Sequence, residues 1–172
     1  MVSEQSDVFR LYLLRHARAA WAVPGVSDFD RALDATGRAE ARSTALQAFT
    51  AGLLPEKIIS SPARRCAETT AAFLEIFGNL DASYDERLYS GGLDAYLERI
   101  QDHRDAQSLM LVGHNPMIET LSTFLSCESE IGAALAYGYP TAGLLALDLR
   151  RPVTGSLMHR GEPAVLLTPA LT

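Results

Sequence analysis

The chain has only one lysine, Lys57, and only two cysteines among its 172 residues. A Walker A phosphate loop needs a lysine directly after a glycine, and Lys57 follows Glu56, so that class of nucleotide site is excluded. Cys66 and Cys127 are far apart, which favours reduced thiols over a disulfide framework. A cysteine-based phosphatase would need an arginine six residues after its cysteine, where this chain has Ala72 and Ala133.

Long apolar runs, basic tracts and metal-binding patterns are also missing. No apolar stretch approaches the ~18 residues that span a membrane. The net charge of −6 disfavours a general nucleic-acid surface. The four histidines have no HExxH spacing, so we expect no metal and no cofactor. Residues 1–10 resemble no export leader. These features predict one domain over residues 1–172, cytoplasmic, with no membrane or nucleic-acid partner.

Short apolar runs alternate with amphipathic stretches, which is typical of an α/β fold. The pattern predicts strands over 8–14, 57–60, 83–86 and 108–112, and helices over 37–51, 62–77, 92–103 and 116–126. In the second helix we expect Ser61 as the N-cap and Pro62 at the first helical position. Two late strands, over 144–149 and 164–167, have no helix between them. They therefore predict an antiparallel edge on a mostly parallel sheet.

Three polar clusters stand where a predicted strand ends. Arg15-His16 follows the first strand, Ser61-Pro62-Ala63-Arg64 the second, and Gly113-His114-Asn115-Pro116 the strand over 108–112. Ligands of open α/β sheets bind outside the carboxyl ends of the strands, so the clusters are expected to converge. Their two arginines and two histidines form a cationic set that suits a phosphate. Each cluster alone is also explained as an ordinary turn or helix start.

These segments carry a family resemblance. LLRHARA at 13–19, SSPARRCAETT at 60–70 and VGHNP at 112–116 resemble the hallmark segments of the histidine phosphatase superfamily, which includes the cofactor-dependent phosphoglycerate mutases. SDFDRALDATGRAEA at 27–41 and the short chain are similar to the SixA-like phosphohistidine phosphatases. The resemblance implies a phosphoglycerate mutase-like three-layer sandwich, with helices on both faces of the sheet.

The resemblance also implies roles for four residues. His16 would be the nucleophile that accepts the phosphoryl group, Arg15 and Arg64 would clamp its oxygens, and a protonated His114 would complete the pocket. Phosphoryl transfer depends mainly on positioning and charge stabilisation, so fixed cations would suffice without a metal.

Three further residues are candidates for substrate binding. Arg18 or Arg31 would widen the anionic site, or would form an ordinary ion pair with Asp28 or Asp30. Asn115 would contact phosphate, or would only shape the turn.

The chain departs from ester-cleaving members of the family at Ser90. Many of those relatives carry an acidic residue at the matching position, after a segment similar to DERL at 85–88. Serine cannot protonate an alkoxide, whereas an imidazole leaving group protonates near neutral pH. This difference, and the lack of room for a lid, favour phosphohistidine on a partner protein. The alternatives are a phosphomonoesterase for a small phosphorylated substrate and a phosphate- or phosphoprotein-binding module without turnover.

Overall fold

The protein is described by a computed structural model that covers residues 6–126 and 132–170. Cys127 lies outside the described residues, and so do residues 1–5 of the segment in which we expect no export leader. The strands are β1 (Val8–Arg15), β2 (Lys57–Ser60), β3 (Asp81–Tyr84), β4 (Ser108–Gly113), β5 (Leu144–Arg150) and β6 (Gly161–Leu167). The helices are α1 (Ala35–Thr50), α2 (Arg64–Phe77), α3 (Arg87–Ser90), α4 (Leu93–Asp102) and α5 (Met117–Leu125).

The six strands form one sheet in the order β3-β2-β4-β1-β5-β6. β3, β2, β4 and β1 run parallel, whereas β5 pairs antiparallel with β1 and β6 pairs antiparallel with β5. The predicted α/β class and the antiparallel edge are therefore confirmed. β3 begins at Asp81, two residues before the predicted start, and the sequence pattern did not predict the single-turn helix α3.

Helices cover both faces of the sheet, because its central strands are apolar on both sides. Along β1, Phe9, Leu11 and Leu13 contribute to one buried cluster with side chains of α4 and α5. Tyr12 and Leu14 contribute to a second cluster with side chains of α1 and α2. Alternate residues of a strand point to opposite faces, so this division gives the expected three layers. No helix of the described residues is long and apolar enough to cross a membrane.

Helix α2 begins later than predicted. Its first helical residue is Arg64 and its N-cap position is Ala63, so the prediction of Ser61 as the N-cap was wrong. The backbone N–H of Ser61 donates to Val112 O at 2.9 Å, which prolongs the strand pairing beyond β2. The Ser61 hydroxyl accepts from Ala63 N at 3.3 Å and lies 2.8 Å from a ring nitrogen of His114. Ser61 is thus part of the turn that faces the histidines.

Candidate active site

The parallel strands bring two histidines together at one edge of the sheet. His16 follows β1 and His114 follows β4, and these two strands are direct neighbours. The His16 backbone N–H donates to Gly113 O at 3.0 Å, which holds the two strand ends in register. The ring centroids of His16 and His114 are 5.1 Å apart. The carboxyl ends of β1 and β4 therefore bring the two histidines into one site.

The His16 ring is held in a single tautomer. Its Nδ1 lies 2.8 Å from the carbonyl oxygen of Ala17. A carbonyl only accepts hydrogen bonds, so Nδ1 carries the proton and Nε2 keeps its lone pair. The pKa of His16 is lowered to about 4, mainly by burial and also by the positive charges of Arg65 and Arg15, while the hydrogen bond to Ala17 acts in the opposite direction. At neutral pH the ring is a neutral base with one free nitrogen, which is what a nucleophile requires.

The backbone around His16 is fixed from two helices. Thr69 of α2 accepts from Ala17 N at 3.1 Å and donates to Arg65 O at 2.7 Å. Glu40 of α1 accepts from Arg18 N at 2.8 Å. A side chain at Gly37 would put its Cβ 1.9 Å from Arg18 O, so α1 packs this closely only with glycine there. Sequence reasoning missed these supports, because a threonine or glutamate within a helix gives no sign of its burial.

His114 is neutral in the free site. Its Nε2 lies 2.8 Å from Ser61 Oγ and 3.4 Å from Cys66 Sγ. Burial lowers the pKa of His114 to about 3, and the adjacent His16 and Arg65 act in the same direction. The predicted protonated state of His114 is that of a pocket holding a phosphoryl dianion, and it stays a prediction. A bound dianion would raise this pKa, since an opposite charge favours the protonated ring.

The arginine that faces the histidines is Arg65, and the prediction of Arg64 was wrong. The Arg64 side chain is 59% exposed, and its Nε donates to Glu68 Oε1 at 2.8 Å. The Arg65 side chain is 8% exposed, and its charge lowers the pKa of both histidines. Because α2 begins at Arg64, consecutive side chains diverge by about 100° around the helix axis. One arginine consequently points to solvent and its neighbour points into the site.

Arg15 supplies a second cation, which is half-buried. Its Nη1 donates to Tyr139 O, and its Nε has no hydrogen-bond partner among the described residues. Burial lowers the pKa of Arg15, while the charges of Glu119 and Glu40 raise it. A guanidinium stays protonated at physiological pH, and the charge of Arg15 lowers the pKa of both histidines.

The chain matches known proteins over most of its length. The model of the histidine phosphatase superfamily (branch 1) matches residues 11–90. A solved structure described as the “putative phosphohistidine phosphatase SixA” from Agrobacterium tumefaciens is 40% identical, with a TM-score of 0.84, and the match covers 93% of this chain and 98% of that one. The chain belongs to the histidine phosphatase superfamily.

Two further similar proteins are described as uncharacterized. One, from Mycobacterium tuberculosis, is 30% identical over 78% of this chain and 85% of its own length. The other is a chloroplastic protein of Arabidopsis thaliana that is 32% identical over 68% of this chain. The chain spans 59% of the length of the Arabidopsis protein.

Two of the residues predicted to bind substrate, Arg18 and Asn115, are both engaged within the protein. Arg18 donates to Asp34 Oδ2 at 2.7 Å and to Thr36 Oγ1 at 3.0 Å, with its side chain 55% exposed. Asn115 donates through Nδ2 to Glu119 Oε2 at 3.0 Å, and its buried Oδ1 has no partner among the described residues. The structure thus favours an ion-pair role for Arg18. For Asn115, the turn-forming role and the phosphate contact both stay predictions.

Tyr89, and not Ser90, packs against His114. Its ring meets that of His114 edge to face, with centroids 5.5 Å apart. Arg65 lies 6.0 Å from the centre of the same ring. The hydroxyl of Ser90 donates to Glu86 O, within its own helical turn. Tyr89 is therefore the residue of this turn whose ring contacts His114.

Metal ligands do not cluster in the part of the chain that the structure describes. Within 6–126 and 132–170, no group of three or more histidine, cysteine, aspartate and glutamate side chains is placed to hold a metal ion. Cys66 is buried beside His114, and burial raises the pKa of its thiol to about 12. That thiol is therefore protonated at neutral pH and acts as a small buried side chain.

Proposed function

We propose that this protein is a phosphatase that transfers a phosphoryl group to Nε2 of His16 and then hydrolyses the phosphohistidine. The observation that carries the proposal is the state of the His16 ring. Its Nδ1–H donates a hydrogen bond to Ala17 O, and its pKa of about 4 leaves Nε2 unprotonated at neutral pH. A neutral imidazole with one directed lone pair is an activated nucleophile.

The fixed Nδ1 proton also supports the second half of the reaction. When Nε2 bonds to phosphorus and the substrate's leaving group departs, the ring carries a positive charge because Nδ1–H is retained. Water can then attack phosphorus, and the P–N bond breaks to release His16 as a neutral imidazole. The ring needs no proton from another group for this step. The proton of the attacking water passes to solvent or to phosphate.

The surrounding cations fit the charge of the phosphoryl group. Arg65 and Arg15 would bind its oxygens, and His114 would join them as a donor, gaining a proton when the dianion binds. Charge on the oxygens persists through the transition state, so donors fixed in advance lower the barrier. Metal independence belongs to the same proposal, since these residues supply the positive charge themselves.

We further propose phosphohistidine on a partner protein as the substrate. The 40% identical relative described as a phosphohistidine phosphatase supports this choice. Asp85, in the segment 85–88, is a carboxylate that could replace the acid missing at position 90. Its environment also supports the choice, because Arg87 and Arg99 hold its pKa below the usual range. An ionised, paired Asp85 is a poor proton donor for an alkoxide. A leaving imidazole has a reference pKa of about 6.5 and protonates readily at neutral pH.

The test compares wild-type protein and His16→Ala on a histidine-phosphorylated phosphotransfer protein and on an aryl phosphate. We expect the wild type to have the higher kcat/KM on the phosphoprotein and the variant to be inactive on both substrates. Preference for the aryl phosphate would refute the substrate assignment and indicate a phosphomonoesterase. Phosphate binding without turnover of either substrate would indicate a binding module.

A further inference from the structure

The carboxylate of Asp28 accepts hydrogen bonds from three groups of the site. Asp28 lies on the loop between β1 and α1, and its Oδ1 accepts from Arg31 Nη1 at 2.9 Å. Its Oδ2 accepts from Arg65 Nη2 at 3.0 Å and from the Tyr89 hydroxyl at 3.2 Å. These contacts connect the loop to α2 and to α3.

The contact with Arg65 is made twice. Besides the carboxylate bond to Nη2, the backbone oxygen of Asp28 accepts from Arg65 Nη1 at 2.6 Å. A guanidinium has two N–H groups on each terminal nitrogen and one on Nε, so one donor on each terminal nitrogen and the Nε–H remain after Asp28 takes its two. Holding both terminal nitrogens fixes the rotation of the guanidinium plane, and with it the direction of the remaining donors.

The loop itself is tied to α2 by its backbone. The N–H of Arg64 donates to Phe29 O at 2.9 Å, directly after Asp28. The Phe29 ring also meets the Tyr89 ring edge to face, with centroids 5.1 Å apart. Although the Asp28 side chain is 53% exposed, the contacts of the next residue, Phe29, therefore anchor this part of the loop.

We propose that Asp28 is a positioning residue that orients the guanidinium of Arg65 for the phosphoryl group. The inference rests on the proposed function of the site, since it assumes that Arg65 binds the anion. Asp28 acts only through Arg65 and touches no substrate. Fixing a donor before the ligand arrives removes the entropy that the ligand would otherwise lose in ordering it.

Charge alone predicts the opposite effect, and this makes the proposal testable by sign. Asp28 is an anion near a site for anions, so the loss of its charge would tighten phosphate binding if it had no positioning role. If Asp28 orients Arg65, its loss weakens phosphate binding despite the more positive site.

The experiment measures the Kd of inorganic phosphate and of tungstate for Asp28→Ala by titration calorimetry. We expect binding to be about tenfold weaker. This factor is near the lower end of the loss in metal affinity when a residue that orients a metal ligand is removed. The control is Asp30→Ala, which removes the same charge from the same loop. The Asp30 carboxylate accepts from Ser27, and the control should change either Kd by less than about twofold.

A double variant tests whether the effect passes through Arg65. In an Arg65→Ala background, Asp28→Ala should weaken phosphate binding no further. Should Asp28→Ala fail to fold, Asp28→Asn keeps the shape of the side chain and one acceptor, and should show the same sign with a smaller loss. Unchanged or tighter binding in the folded Asp28 variant, or an equal loss in the Arg65→Ala background, would overturn the proposal. Because binding needs no turnover, an inactive wild type would refute the proposed function and leave this measurement intact.

Discussion

Replacing each of two adjacent arginines by lysine tests the location of the phosphate site. Arg64→Lys and Arg65→Lys both keep the positive charge and lose the planar fork of donors. The two variants differ only in which side of α2 they alter. Arg64 pairs with Glu68 on the exposed side, whereas Arg65 is buried against Asp28 and acts on both histidines.

The expected magnitudes follow from these environments. Lysine at 65 cannot satisfy both Asp28 acceptors and present two parallel donors to phosphate. Loss of one donor to a developing oxyanion costs about 2.7–4 kcal/mol of transition-state stabilisation. Because lysine retains the charge, the expected loss for Arg65→Lys is about 2–3 kcal/mol. The exposed pair of Arg64 has a value of at most about 1 kcal/mol, and lysine can still form it. We therefore expect kcat/KM to fall about 30- to 150-fold for Arg65→Lys and less than about twofold for Arg64→Lys.

The assay is kcat/KM of both variants on the phosphoprotein and the aryl phosphate, with the Tm of each variant as the control for folding. Both variants should retain the circular dichroism of the wild type. Equal losses at the two positions, or a larger loss at Arg64, would show that Arg65 is not the arginine that binds the phosphoryl group.

Three further predictions concern pH, metals and the leaving group. The drop in the pKa of His16 from 6.5 to about 4 should make the folded protein less stable as pH falls, because only the unfolded chain takes up the proton in this window. His16 should account for a loss of about 3 kcal/mol in the free energy of unfolding between pH 6.5 and 4. The free energy from urea unfolding should therefore depend less on pH in His16→Ala than in the wild type, and parallel curves would contradict the burial of a neutral His16. Activity should survive EDTA and dialysis, and a requirement for added Mg²⁺ or Mn²⁺ would refute metal independence. Ser90→Glu should raise aryl phosphate hydrolysis relative to phosphohistidine hydrolysis, and an unchanged ratio across pH 5 to 8 would show that position 90 does not reach the leaving group.

The sequence predicts the sheet well because its central strands are buried on both faces. Runs such as VFRLYLL and SLMLV have few other places in a fold, and polar residues mark where each ends. The antiparallel pair β5–β6 was also predictable, since no helix separates its strands. The single turn α3 was not, because four residues carry no periodicity.

The site was predictable in its position and less so in its details. His16 and His114 follow adjacent strands, so their convergence depends only on the parallel sheet. The choice between Arg64 and Arg65 depends on where α2 begins, and the contact of Ser61 with His114 lies outside any local pattern. The charge of His114 depends on burial, and the hydrogen bonds of Asp28 depend on a loop folding onto α2. Neither can be derived from residue spacing.

The central claim is that phosphate passes through Nε2 of His16, and the most direct measurement is to trap it there. Wild-type protein and His16→Ala would be quenched during turnover of a reactive phosphodonor, digested, and analysed by mass spectrometry under non-acidic conditions. We expect an acid-labile, alkali-stable phosphate on the peptide that contains His16, bonded at Nε2, and no label in the variant. A label on another residue, or hydrolysis by His16→Ala at more than a few per cent of the wild-type rate, would contradict the mechanism.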